Sequence, residues 1–200
     1  YQERSIKLML QQAAAGLLLD PGLGKTSVSL AAYKILKKAG FVKWCIVIAP
    51  LKPMYETWPA EIGKWDNFKE LSCAILHGGL KSSNSKLDVD IYLVNPEGLP
   101  WLVAGPLSRI FKRGPGMLVV DESTKFKDSS TKRFKLLKNL LPLFDRRYIL
   151  TGTFQPNTAE DLFGQVYILD GGAALGKYIT HFRSKYFYLP NPIYEKYKWA

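Results

Sequence analysis

The chain has 200 residues, of which 47% are hydrophobic and 22% charged, proportions that suit one sizeable domain and exclude a chain disordered throughout. Its longest apolar runs, such as Cys45-Ile46-Val47-Ile48-Ala49, are far too short to cross a bilayer, and Tyr1-Gln2-Glu3-Arg4 lacks the apolar core of a secretory signal. Lys and Arg exceed Asp and Glu by 28 to 17, so the net charge of +11 favours a polyanionic partner, most simply nucleic acid.

The absence of an initiator Met suggests an excised domain of a longer protein. Cys45 and Cys73 each sit in a short apolar run and read as buried thiols in a reducing compartment. His77 and His181 stand apart from each other and from the cysteines, so no zinc-ligand spacing occurs.

In chain order, Ile6, Met9, Leu10 and Ala13 recur at helical spacing and predict a first helix. An apolar strand follows at 17–19. A second helix is predicted from Lys25 to a stop at Gly40, a glycine placed to end a helix. Strand 45–49 leads to a helix over 54–65, and strand 73–76 to a polar surface loop over 81–90. Strand 91–94, a basic turn over 109–116 and strand 117–120 come next. A helix capped by Asp128 or Ser129 would bury Phe134, Leu137 and Leu141 and end at Pro142. After strand 148–150, Asn157 with Glu160 three residues on has capping-box spacing, and the stripe of that helix is Leu162, Val166 and Leu169. The strands are apolar on both faces, and their alternation with helices predicts an α/β domain with a mostly parallel, covered sheet.

The strongest chemical signal is Leu17-Leu18-Leu19-Asp20-Pro21-Gly22-Leu23-Gly24-Lys25-Thr26. An apolar strand runs into a glycine loop that opens a helix. Glycines let backbone N–H groups turn toward a phosphate, and the helix N-terminus adds positive potential. Lys25 would reach the β- and γ-phosphates and the Thr26 hydroxyl would ligate Mg²⁺. The first glycine of the general G-x-x-x-x-G-K-S/T pattern is replaced by Leu19. A second match to G-x-x-x-x-G-K, from Gly171 to Lys177, is followed by Tyr178 where a small hydroxyl is needed, and reads as a helix-ending glycine turn.

Met117-Leu118-Val119-Val120-Asp121-Glu122 is a buried strand ending in two carboxylates. At such a strand end Asp121 can hold Mg²⁺ and Glu122 can orient and deprotonate an attacking water. Thr151-Gly152-Thr153 follows another strand. Its hydroxyls could sense the γ-phosphate through the carboxylates, although a plain strand-end turn accounts for the residues as well.

The order of these motifs resembles the first motor lobe of superfamily-two helicases, and in particular the Swi/Snf branch of DNA translocases in its compact phage and bacterial forms. Tyr1-Gln2 is similar to the end of the Q motif, in which Gln2 would read adenine. Residues 20–26 resemble that branch's D-x-G-L-G-K-T loop, which explains Leu19. Ile48-Ala49-Pro50-Leu51-Lys52 with Trp58, Glu61 and Trp65 resembles motif Ia, and Asn95-Pro96-Glu97-Gly98-Leu99 sits where motif Ib lies. Asp121-Glu122-Ser123-Thr124 takes the DExH position. Leu150-Thr151-Gly152-Thr153, Asn157 and Asp161-Leu162 resemble motif III, which tips Thr151 and Thr153 toward a coupling role. Ser123-Thr124 departs from the commoner Ala-His, which removes direct coupling by a motif II histidine. Phe154-Gln155-Pro156 departs from a Pro-led triplet.

The resemblance implies a single RecA-like P-loop lobe over 1–200, with ATP and Mg²⁺ as cofactors. Lys25, Asp121 and Glu122 would be catalytic. Gln2, Gly22, Leu23, Gly24, Lys25 and Thr26 would bind the nucleotide, with Thr26 and Asp121 on the metal. Pro50, Lys52, Asn95, Thr151, Gly152 and Thr153 would contact DNA or couple to it. The partners implied are DNA, duplex more than single-stranded, and a second RecA-like lobe past Ala200 that supplies the arginine finger. No membrane is implied. The compartment would be phage or bacterial cytoplasm, or the nucleus in a eukaryote. The motor of a restriction or nuclease complex and a non-hydrolysing ATP-gated binding module are the alternatives. Lys125, Lys127, Lys132, Arg133 and Lys135 read as a solvated helix face sooner than a DNA path, and Trp58 and Trp65 as core. The aromatic tail 182–199 suits packing against a neighbouring domain better than base stacking.

Overall fold

The computed structural model describes residues 1–152 and 159–187. Six strands form one sheet: β1 (Ala14–Leu18), β2 (Trp44–Ile48), β3 (Cys73–Ile75), β4 (Ile91–Val94), β5 (Gly116–Asp121) and β6 (Arg146–Thr151). Their spatial order is β1-β6-β5-β2-β4-β3, and every pairing is parallel. The helices are α1 (Gln2–Gln11), α2 (Lys25–Lys38), α3 (Trp58–Lys64), α4 (Lys81–Asn84), α5 (Leu99–Ala104), α6 (Pro106–Phe111), α7 (Lys132–Leu140), α8 (Asp161–Asp170) and α9 (Ile179–Tyr186).

Side chains alternate across a strand, so the apolar runs feed two cores at once. Cys45, Val47, Leu93, Val119 and Leu150 face one side, where they meet Met9 of α1, Leu30 and Leu36 of α2, and Trp58 and Ile62 of α3. Ile46, Ile48, Val94, Val120 and Ile149 face the other, against Leu102, Ile110, Leu137, Phe163 and Phe182 of α5 to α9. This doubly covered sheet is why the strands lack a polar face in the sequence.

Several predicted boundaries shift. The first helix stops at Gln11, before Ala13. The cap of α7 is Thr131, whose hydroxyl accepts from the Phe134 N–H, and not Asp128 or Ser129. Helix α8 buries Phe163, Gln165, Tyr167 and Ile168, whereas the expected stripe of Leu162, Val166 and Leu169 is only half-buried. The helix is covered on more than one side, so its apolar stripe does not mark the inward face. Residues 81–90 are not a plain surface loop. They include α4 and end at buried Asp90, which accepts from the Ser72 N–H and hydroxyl and the Tyr33 hydroxyl and pairs with Lys37. The region 109–116 divides between the end of α6, a turn and the start of β5. Helices α5 and α6, each six residues long, gave no periodic signal of their own. Cys45 is buried and Cys73 half-buried, both as free thiols. Among the described residues no helix is long and apolar enough to cross a membrane.

Candidate nucleotide and nucleic-acid site

All six strands run the same way, so their C-terminal ends share one edge of the sheet. Beyond that edge ligands bind in open α/β folds. After β1 the chain crosses over α2 to β2, three positions along the sheet, and β6 and β5 occupy the gap. The loop after β1, the Thr151-Gly152 end of β6 and the Asp121-Glu122 end of β5 therefore stand side by side. Backbone contacts bind them together: the Leu19 N–H donates to the Thr151 carbonyl at 3.2 Å. A Cβ on Gly152 would lie 3.1 Å from Pro21 Cδ, so this glycine allows β6 to meet the loop closely.

The loop itself depends on glycine. Gly22 and Gly24 hold φ of +83° and +76°, in the left-handed region that favours glycine, and Gly24 is the N-cap of α2. A Cβ on Gly24 would also sit 2.6 Å from Gln2 Nε2. Lys25 Nζ lies back on the loop, donating to the carbonyls of Leu19 at 2.6 Å and Asp20 at 3.2 Å. Thr26 follows in the first turn of α2.

A cleft of about 290 Å³ opens here, lined by Gly22, Gly24, Lys25, Thr26, Asp121 and Glu122, with Pro53, Thr57 and Glu61 on its far wall. Asp121 is only 8% exposed. Its Oδ1 accepts from the Glu122 N–H at 3.0 Å and its Oδ2 from Trp58 Nε1 at 3.0 Å. Burial pushes the Asp121 carboxyl above its ordinary value of 3.8. The Trp58 bond opposes that shift, and the adjacent Glu122 charge adds to it. A carboxylate destabilised by burial gains from a cation, and hydroxyl and carboxylate oxygens are the donors that Mg²⁺ takes. Thr26 and Asp121 thus fit that ion. Glu122 is the only described non-glycine residue at positive φ, 52°, a conformation that costs about 1–3 kcal/mol and concentrates at functional sites.

Beside the glycine loop lies a groove of about 280 Å³ whose lining includes Gln2, Ser27, Val28, Trp65 and Asn67. Gln2 Nε2 approaches the Leu23 carbonyl at 3.5 Å. Trp65 is not core: it is 46% exposed and walls this groove, donating to Glu61 at 2.9 Å.

Pro50 and Lys52 follow β2, with Lys52 exposed, and Asn95 follows the neighbouring β4 on the same edge. Asn95 is buried and its amide donates to Glu97 at 2.8 Å, while its Oδ1 has no partner among the described residues. Lys125, Lys132 and Lys135 are exposed, whereas Lys127 pairs with Asp161 and Arg133 with Glu97. Thr153 and Asn157 lie outside the described residues, as do Tyr188 and the rest of the tail. Phe182 is buried against Phe163 and Phe187, so the start of that tail packs on this domain's own core.

Two polar links escaped sequence reasoning. One is the Trp58–Asp121 bond. The other joins Ser123 to Gln165 of α8: the Ser123 hydroxyl donates to Gln165 Oε1 at 2.8 Å, and both residues are fully buried. The only sequence signal was a serine where the resemblance expects alanine, and nothing in the sequence gave its partner.

A parallel sheet with a glycine loop that opens a helix after its first strand, and an acidic pair at the end of the strand two positions along, defines a RecA-like P-loop lobe. A family model described as the SNF2-related domain matches residues 1–183, and the chain belongs to that family. It is similar to putative protein p41 of Acyrthosiphon pisum secondary endosymbiont phage 1, with 30% identity covering 94% of this chain and 42% of that one. It is 27% identical to chromodomain-helicase-DNA-binding protein 8 of Danio rerio, over 76% of this chain and 6% of that protein. Among solved structures, the SWI2/SNF2 ATPase core of Sulfolobus solfataricus in complex with dsDNA superposes with a TM-score of 0.76 at 28% identity, over 92% of this chain and 38% of that one. The chain spans less than half the length of each of these relatives.

Proposed function

We propose that the chain is the ATP-binding lobe of an ATP-dependent DNA translocase, in which Mg-ATP hydrolysis drives movement on duplex DNA. The observation that carries this reading is the cleft that gathers Gly24, Lys25, Thr26, Asp121 and Glu122 between two strand ends. In this reading the backbone of Gly22, Leu23 and Gly24 cradles the phosphates, and Lys25 exchanges its carbonyl partners for phosphate oxygens. Gln2 reads the adenine edge from the adjoining groove. Thr26 and Asp121 hold Mg²⁺, which when bound supplies neutralising charge to the phosphate oxygens. Glu122 orients the attacking water and accepts its proton. Thr151, which ends β6, couples nucleotide to DNA together with Gly152 and Thr153. Pro50, Lys52 and the Asn95 turn hold phosphates of one strand. Such contacts position without reading sequence, so binding is salt-sensitive. A second lobe supplies the arginine finger.

The test is ATP turnover by the full-length gene product without DNA, with single strands and with duplex, beside Lys25→Ala. Strong stimulation by duplex that Lys25→Ala abolishes is expected. Turnover indifferent to nucleic acid would remove the DNA partner from the reading. Nucleotide binding with no turnover at all would favour the ATP-gated binding module.

A further inference from the structure

Trp58 opens α3, which continues directly from a five-residue π-helical turn, Pro53–Thr57. The turn has a local cause. Pro59 has no N–H, and in an unbroken α-helix its ring would collide with the carbonyl four residues back, that of Tyr55. Widening the preceding turn relieves the collision, and the Trp58 N–H accordingly donates to the Pro53 carbonyl five residues back. Each residue of an α-helix advances about 100° around its axis, so the one extra residue in the turn rotates everything downstream by about that angle. The rotated Trp58 is 1% exposed, and its indole N–H reaches the Asp121 carboxylate at 3.0 Å.

Two further observations give this contact a direction. Pro53 and Thr57, within the π turn, line the same cleft as Lys25 and Thr26. The residue just ahead of the turn is Lys52, exposed beside the end of β2. A wide turn of this kind, concentrated in proteins at functional sites, thus links an outward-facing lysine to the acceptor oxygen of a buried acid. With the Glu122 N–H on Oδ1 and the indole on Oδ2, the carboxylate is fixed at both oxygens, and each keeps a second lone pair for a cation.

We propose that Trp58 is a positioning residue that presents Asp121 to the metal, and that the Pro53–Thr57 turn carries nucleic-acid engagement at Lys52 to that carboxylate. This rests on the functional reading above. It is tested on this chain with a fluorescent ADP titrated with Mg²⁺. Trp58→Phe, which keeps an aromatic ring but loses the donor, should raise the half-saturating Mg²⁺ about tenfold while leaving metal-free nucleotide binding unchanged. In ¹H–¹⁵N spectra the Trp58 indole resonance, assigned from side-chain-to-backbone correlations in the unsubstituted chain, should move on adding Mg-ADP and on adding a short duplex. The duplex effect should vanish in Lys52→Ala.

If Asp121→Asn changes the Mg²⁺ dependence and a folded Trp58→Phe does not, the positioning role is overturned and the site reading stands. If neither changes it, both fall. An indole resonance indifferent to Mg-ADP would also overturn the positioning role, and that measurement holds even if Trp58→Phe fails to fold. A duplex-induced shift that persists in Lys52→Ala would overturn the link through the turn.

Discussion

Glu122 holds a left-handed backbone conformation immediately after the strand that delivers Asp121. A glycine there would relieve the strain of a side chain at φ 52°. Glu122→Gly should therefore leave thermal stability unchanged or raise it by up to about 1 kcal/mol, while Glu122→Gln keeps both strain and stability. Both should bind nucleotide and lose turnover, as paired melting and ATPase measurements would show. Next to it, the buried Ser123–Gln165 bond joins the acidic pair to α8. Gln165→Leu leaves the Ser123 hydroxyl without its acceptor and should cost about 1–3 kcal/mol in denaturant unfolding. Removing both polar groups, in Ser123→Ala with Gln165→Leu, should recover most of that loss, and a double-mutant cycle measures the recovery. A cycle with no coupling energy would show that the pair adds nothing to stability.

At the scale of elements, Asp90 ties the start of β4 to α2 and to the approach to β3 through Lys37, Tyr33 and Ser72. Burial opposes ionisation of Asp90, but the Lys37 and Ser72 bonds outweigh it and hold its carboxyl below the ordinary 3.8. An acid whose value falls on folding stabilises the fold above its unfolded value, and that stability is lost as pH drops through the lowered folded value. Asp90→Asn should therefore destabilise by about 2 kcal/mol at neutral pH, with the difference from wild type shrinking below pH 3.8. Chemical denaturation across that range checks both the size and the sign. The segment had looked like the end of a polar loop because its partners lie 18 to 57 positions away in sequence.

For the whole molecule, the proposed reading takes the arginine finger from a second lobe, and no arginine is among the described residues that line the cleft. In phosphoryl-transfer ATPases such a residue supplies about 10³–10⁵ in rate. On the reading proposed above, the 200-residue chain should thus bind Mg-ATP yet hydrolyse it orders of magnitude more slowly than a chain that carries a second lobe. Comparable single-turnover rates for the two would refute the need for a second lobe. Duplex affinity should fall steeply with added salt, as counterion release requires for a chain of net charge +11.

What was legible in the sequence was what local chemistry governs. Short runs apolar on both faces announced a covered parallel sheet, because a strand buried on two sides needs no polar alternation. Gly22 and Gly24 announced a tight loop that opens α2 at Lys25, because the backbone conformation of such a loop is written within a few residues. Asp121 and Glu122 announced the acidic pair for the same reason. The strand order was not legible, nor was the insertion of β6 between the glycine loop and the acids, because pairing partners are chosen by the packing of the entire sheet. The buried partners of Trp58 and Gln165, and the exposure of Trp65, also belonged to the tertiary structure. Each depends on groups that lie in contact across the fold and far apart in the chain, such as the 63 positions between Trp58 and Asp121. Sequence spacing carries no measure of such distances.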